Sequence, residues 1–197
     1  GECWGKGTAT FMIGGDICTR SCKFCNTQTG RPHPLDTNEP THVAESIALM
    51  KLDHAVVTSV DRDDLPDLGA GHWAHTIREI KRLNPQTTIE VLIPDFQGRM
   101  DLVDLVIEEN PDIISHNMET VRRISPLVRS AANYDTSLQV IGHVAGSGCV
   151  VHRAAEHKAV GGSSDCGART YRESMVGYIA VCRAVGSDVE RAVIDDS

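Results

Sequence analysis

The sequence predicts an α/β protein whose strands form a parallel sheet joined by crossover helices. Short β-branched runs alternate with amphipathic stretches between residues 8 and 118, and a polar or glycine-bearing cluster follows each run. Residues 8–13 form the first predicted strand, which ends at Gly14-Gly15. Residues 41–52 place Val43, Ile47, Leu49 and Met50 on a helical face, with Pro40 just ahead of them. The run His54-Ala55-Val56-Val57-Thr58-Ser59-Val60 is the second strand. Residues 71–83 read as a helix carrying Trp73, Ile77, Ile80 and Leu83 on one side, stopped by Asn84-Pro85. Residues 88–93 are the third strand, 100–109 a helix ending before Pro111, and 112–118 the fourth strand. Beyond residue 140 the pattern weakens. Residues 169–185 read as a helix and 188–194 as a strand, with little periodicity between 146 and 167.

The chain has 197 residues, enough for one domain with a real core, and no linker marks a second. A formal charge of −8 and an aromatic content of 4% argue against nucleic acid or an anionic membrane as partner. No apolar stretch approaches the ~20 residues that span a bilayer. No signal peptide is visible, so a cytoplasmic location is expected, or a mitochondrial one in a eukaryote. Seven cysteines is an odd number, which fits a reducing compartment and metal binding better than a disulfide framework.

Cys18, Cys22 and Cys25 make the run C-x3-C-x2-C just after the first strand. Three thiolates on one loop can hold three irons of a 4Fe–4S cube and leave the fourth open to a small molecule. An open metal position separates catalytic from purely structural sites. Phe24, next to the last cysteine, is placed to shield such a cluster from water. A zinc knuckle or three unrelated thiols are the alternatives.

The remaining polar sets follow the other predicted strands: Ser59, Asp61, Arg62, Asp63 and Asp64; then Pro94-Asp95-Phe96; then Asn117 and Glu119. In parallel barrels such positions open onto one face, at the C-terminal ends of the strands. Asp and Asn also favour strand-to-helix turns and helix caps for their own sake. Asn117 and Glu119 point to function because their strand is otherwise apolar and buried polar groups are costly. His72 and His75, three apart on one helix, read as a solvated face rather than a metal pair. Arg122, Arg123 and Arg129 read as balancing nearby acids.

The cysteine run and its surroundings resemble the radical S-adenosylmethionine (SAM) enzymes, and lipoyl synthases among them. The resemblance covers residues 1 to about 139. It rests on Gly1-Glu2-Cys3-Trp4, Gly7-Thr8-Ala9-Thr10-Phe11-Met12-Ile13, Gly30-Arg31-Pro32, Thr58-Ser59-Val60-Asp61-Arg62-Asp63-Asp64-Leu65, Pro94-Asp95-Phe96 and His116-Asn117-Met118-Glu119-Thr120-Val121. It implies a partial parallel (β/α) barrel of the radical SAM type, incomplete at both ends. In that family a 4Fe–4S cluster on Cys18, Cys22 and Cys25 binds SAM at its open iron, and one electron cleaves SAM to a 5′-deoxyadenosyl radical. A SAM pocket lined by Phe24, Ser59, Asp61, Asn117 and Glu119 is the matching expectation.

The resemblance further implies sulfur insertion at C6 and C8 of an octanoyl chain on a lipoyl carrier domain. The electron donor would be a ferredoxin or flavodoxin. A second 4Fe–4S cluster donates the sulfur in that family, and Cys3 matches one of its ligands. The other two cysteines and a closing serine of the family have no counterpart in this sequence, so this chain alone is expected to be inactive in sulfur insertion. Leu68 stands where the family usually has glycine, and Gly14 where it has a bulkier apolar residue. Residues 140–197 depart from the family and read as a divergent or non-native segment. Another radical SAM enzyme, such as a biotin-synthase-like sulfurtransferase, and a non-catalytic metal-binding fragment are the competing readings.

Overall fold

The computed structural model describes residues 7–147, 150–153 and 178–182. Its strands are β1 (Thr8–Ile13), β2 (Ile17–Cys18), β3 (Gln28–Thr29), β4 (His54–Ser59), β5 (Thr88–Leu92), β6 (Ile113–Asn117), β7 (Val150–Arg153) and β8 (Tyr178–Cys182). Its helices are α1 (Glu39–Met50), α2 (Ala70–Leu83), α3 (Met100–Glu108), α4 (Ser125–Val128) and α5 (Tyr134–Gly146). The main sheet has the order β1-β4-β5-β6-β8-β7. Its first four strands are parallel, with Ile13 opposite Ser59, Thr58 opposite Leu92 and Leu92 opposite Ser115. That register lines up the C-terminal ends of the four strands along one edge. The α/β class and the parallel (β/α) arrangement are therefore present, with each predicted strand and helix through residue 118 within two residues of its expected bounds.

The core follows from the pattern. Ile13, Val57, Ile89, Val91 and Ile114 on the strands pack against Val43, Ile47, Trp73, Ile77, Ile80, Val103 and Val106 on the helices. Fully burying a side chain of this size contributes roughly 1.5–3 kcal/mol, so this layer dominates stability. Asn84 Nδ2 donates to the carbonyls of Ala44 at 2.9 Å and Ile80 at 3.3 Å, locking the end of α2 onto α1. Leu68 lies in the left-handed region at φ +52° with its side chain buried, just before Gly69 at φ +85°. The turn before α2 thus keeps its glycine-like backbone with a leucine, which burial of the side chain offsets.

One sequence expectation beyond residue 140 fails. Residues 178–182, assigned to a helix over 169–185, form strand β8 antiparallel to β6, from Ile113 opposite Cys182 to Asn117 opposite Tyr178. The run Tyr-Ile-Ala-Val-Cys suits a strand as well as a helix, and the free edge of β6 supplies its backbone partners. The strand β7 and the helix α5 had no counterpart in the periodicity reading. Cys3 and the strand expected at 188–194 lie outside the described residues. Among the described residues, no helix is long and apolar enough to cross a membrane.

Candidate metal centre

The cysteine loop is closed at its base by the short parallel pair of β2 and β3. Cys18 lies opposite Thr29, and Gly30 N–H donates to the Cys18 carbonyl at 3.0 Å. Cys18 is buried, Cys22 half-buried and Cys25 exposed, and all three are free thiols. The Cys18 Sγ accepts N–H groups from Arg20 at 3.4 Å and Asp61 at 3.3 Å. Its S–H points at Asp61 Oδ2, 3.7 Å away. Burial raises the Cys18 pKa and the two N–H groups oppose that rise.

The outer part of the loop is held differently. Lys23 N–H donates to the Val128 carbonyl at 2.9 Å and Ser21 N–H to Ser130 Oγ at 3.0 Å. Cys22 Sγ is 3.9 Å from Ser130 Oγ, and Cys25 Sγ 3.3 Å from Thr27 Oγ1. Phe24 is exposed. Among the described residues, no three His, Cys, Asp or Glu side chains stand together closely enough to hold a metal ion.

Arg20 was not singled out by sequence reasoning, whereas Asp61, Asp63 and Asp95 around it were named as strand-end polar residues without this partner. The Arg20 side chain is 5% exposed. Its Nε and Nη2 donate to the two oxygens of Asp63 at 2.7 and 2.8 Å. Nη2 is also 2.8 Å from Asp95 Oδ1, and Nη1 3.4 Å from Asp61 Oδ1. Asp95 in turn caps the 3-10 turn Phe96–Gly98, accepting Gln97 N–H at 3.0 Å. Burial raises the Asp63 and Asp95 pKa values, but Arg20 outweighs it and holds both below the usual carboxylate range. Asp61 is pushed up to about 6 by burial, against the pull of Arg20 and with Asp95 and Asp63 adding to the rise. The signal in the sequence was an arginine between Cys18 and Cys22 and the run of aspartates after the strand His54–Ser59.

The other predicted residues fall as follows. Arg62 is buried and structural: it forks onto Asp64 at 2.9 Å and donates to the carbonyls of Gly14 and His33, each at 3.0 Å. Ser59 lines a small cavity with Ile13, Gly14, Leu68 and Trp73. Asn117 ends β6 with its Oδ1 buried and unpartnered among the described residues, and Glu119 stands at φ +63° in the turn that follows. Among the described residues, no side-chain hydrogen bond joins Ser59, Asn117 or Glu119 to Cys18, Cys22 or Cys25, whereas Asp61 touches Cys18 directly.

His72 corrects an expectation. Its side chain is 9% exposed rather than solvated, and Nε2 lies 2.5 Å from Glu39 Oε2. Glu39 also accepts the Gly14 N–H at 2.8 Å. The first turn of α2 packs on the first turn of α1, which buries His72 and leaves His75 exposed. Arg122 does pair with an acid, Asp135, and stacks 4.7 Å from the centre of the Tyr134 ring. Arg129 instead donates to Ser137 Oγ at 2.9 Å. Ser137 lies 3.0 Å from His116 Nε2, and His116 Nδ1 is 2.9 Å from the Ile93 carbonyl. A carbonyl only accepts, so Nδ1 carries the proton and Ser137 O–H donates to Nε2. Burial lowers the His116 pKa and keeps the ring neutral.

The donor set suits an iron–sulfur cluster. Three free thiols lie on one loop, and the buried one already sits under two N–H donors that favour a thiolate. The orphaned Asn117 Oδ1, at the C-terminal end of β6, suits a polar ligand with a donor group. Comparison with known proteins agrees: residues 12–157 match the family model of the radical SAM superfamily. The chain belongs to the radical SAM superfamily. Within that superfamily it is 97% identical over 148 residues to a lipoyl synthase of Bacteroides thetaiotaomicron, covering 75% of this chain and 52% of that protein. It is 83% identical over 148 residues to a lipoyl synthase of Bacteroides fragilis, covering 75% of this chain and 51% of that protein. A lipoyl synthase of Treponema denticola is 61% identical over 150 residues, 76% of this chain and 52% of that protein. The chain spans about half the length of these relatives. Membership of that superfamily implies a 4Fe–4S cluster and SAM as cofactors.

Proposed function

We propose that this chain carries the SAM-cleaving part of a lipoyl synthase, whose reaction inserts sulfur at C6 and C8 of an octanoyl chain borne by a lipoyl carrier domain. The cysteine loop carries the reading: three free thiols at the C-terminal end of a parallel strand, in a chain 97% identical over 148 residues to a protein named lipoyl synthase. Cys18, Cys22 and Cys25 would hold the cluster. When bound, the cluster and SAM supply one-electron reduction and hydrogen-atom abstraction. The residues of this chain prepare that step. The N–H groups of Arg20 and Asp61 point at the Cys18 sulfur and offset part of the burial that favours its thiol form. Asp61 Oδ2 is the nearest acceptor for the proton that Cys18 gives up on ligation. Asn117 Oδ1 offers a buried acceptor to SAM, with Ser59 at the end of β4, Glu119 in the turn after β6 and Phe24 on the cysteine loop.

A sulfur-donor cluster with Cys3 as one ligand, and a ferredoxin or flavodoxin as reductant, complete the proposal. Within the 197 residues, Cys3 alone matches a ligand position of that donor cluster. The polypeptide by itself is therefore expected to cleave SAM slowly and to make no dithiolane product. The test is anaerobic reconstitution followed by reduction with SAM present. About four irons and four sulfides and formation of 5′-deoxyadenosine support the reading. One zinc with no sulfide refutes it.

A further inference from the structure

We propose that Arg20 is the positioning residue of the cysteine loop: its single buried guanidinium joins the loops after β1, β4 and β5 and sets where Cys18 presents its sulfur. Three observations carry this. First, Arg20 lies between Cys18 and Cys22, so whatever fixes it fixes the loop. Second, its partners come from separate elements. Asp61 and Asp63 follow β4, Asp95 follows β5, and the guanidinium reaches all three within 3.4 Å while 5% exposed. Third, the contacts close a ring around Cys18. Asp61 bonds Arg20 through Oδ1 and faces the Cys18 sulfur with Oδ2, and the Asp61 and Arg20 N–H groups both point at that sulfur.

The choice of arginine is physical. A planar fork satisfies Asp63 with two hydrogen bonds and still has donors for Asp95 and Asp61, whereas a lysine ammonium is a single point charge. Without a cation the three carboxylates would face one another in a buried space, and the loops would part. Neighbouring Arg62 shows the contrast. Its carboxylate partner is Asp64, two residues away, and its bonds to the distant Gly14 and His33 segments go to uncharged carbonyls, so it does not gather carboxylates from separate loops.

The test compares the intact 197-residue chain with Arg20→Lys, following thiol labelling of each cysteine by peptide mass spectrometry in the metal-free protein. Cys18 labelling should accelerate ~10-fold or more in Arg20→Lys, because local opening exposes it, while Cys25 labelling stays at the parental rate. After anaerobic reconstitution, the EPR spectrum of the reduced cluster should differ from the parent's, a change that lower stability alone would not produce. Parental Cys18 labelling in Arg20→Lys overturns the proposal. Should that variant fail to unfold cooperatively, Asp63→Asn removes the bidentate partner and leaves Arg20 in place. Faster Cys18 labelling in it supports the proposal, and a parental rate overturns it. Asp64→Asn, which disarms Arg62 only, should label at the parental rate, and equal acceleration there would overturn the assignment to Arg20. The labelling needs no cluster, so failure to assemble iron in the parent would count against the radical SAM chemistry and not against the clamp.

Discussion

The two ends of the cysteine loop are built on different principles. The Cys18 end is buried, paired into β2 and β3, and surrounded by Arg20, Asp61, Asp63 and Asp95. The Cys22–Cys25 end is held by two backbone donors, to Val128 and Ser130; Cys22 Sγ meets the Ser130 hydroxyl, and Cys25 Sγ the Thr27 hydroxyl and N–H. One end is preorganised by charge and burial. The other is lightly tied, and under the proposed function its thiols would share a cluster with Cys18. The difference teaches that burial and charge within the protein fix one thiol, while the other two rest on few protein contacts.

The largest expected effect removes that sharing. Cys22→Ala should abolish cluster assembly, taking iron from about four per chain to none, although Cys22 contributes little to the metal-free fold. Unchanged iron content in the variant would show that the outer end is not a ligand-bearing end at all.

A smaller effect tests the brace under that outer end, the buried chain from Arg129 through Ser137 to His116. His116→Ala should destabilise the protein by about 2–4 kcal/mol, from an unpaired Ser137 and a cavity. The pH dependence follows from the neutral ring. The unfolded chain binds a proton at His116 below about pH 6.5 and the folded chain does not, so the His116 contribution falls as pH drops below 6.5. Asp61 acts in the opposite sense: with its folded pKa at about 6, it binds its proton before the unfolded chain does and adds stability as pH falls from 6 toward 3.8. Thermal melts of the parent and His116→Gln between pH 7.5 and 5 separate the two, because the gap between the proteins should narrow toward acid. A constant gap would mean that the ring is not held neutral.

Smaller still, Ser130→Ala should raise Cys22 labelling about two- to three-fold and change stability by at most about 0.5 kcal/mol, since the Ser21 N–H is exposed and water replaces the lost acceptor. A large loss of stability would place the outer end in the rigid part of the fold. At the bottom of the scale, the surface pair Arg82–Glu79 should be silent, and Arg82→Ala should leave the melting temperature unchanged within error.

Sequence by itself determined the alternation of strands and helices through residue 118 and the thiol loop, because both are written locally: a period of two or 3.6 for the core, and a spacing of cysteines for the ligand set. It also placed Asp61, Asn117 and Glu119 at strand ends, since a parallel sheet brings those ends to one edge. Tertiary structure alone decided that Arg20 gathers Asp61, Asp63 and Asp95, that Arg62 does not, and that His72 is buried against Glu39 rather than solvated. Each depends on which loops face one another across the sheet edge or which helix ends touch, and a charge in a sequence carries no record of its partner's distance. The strand Tyr178–Cys182 belongs to the same class: a short apolar run takes whichever conformation its neighbour completes, and here the open edge of Ile113–Asn117 supplied the backbone partners.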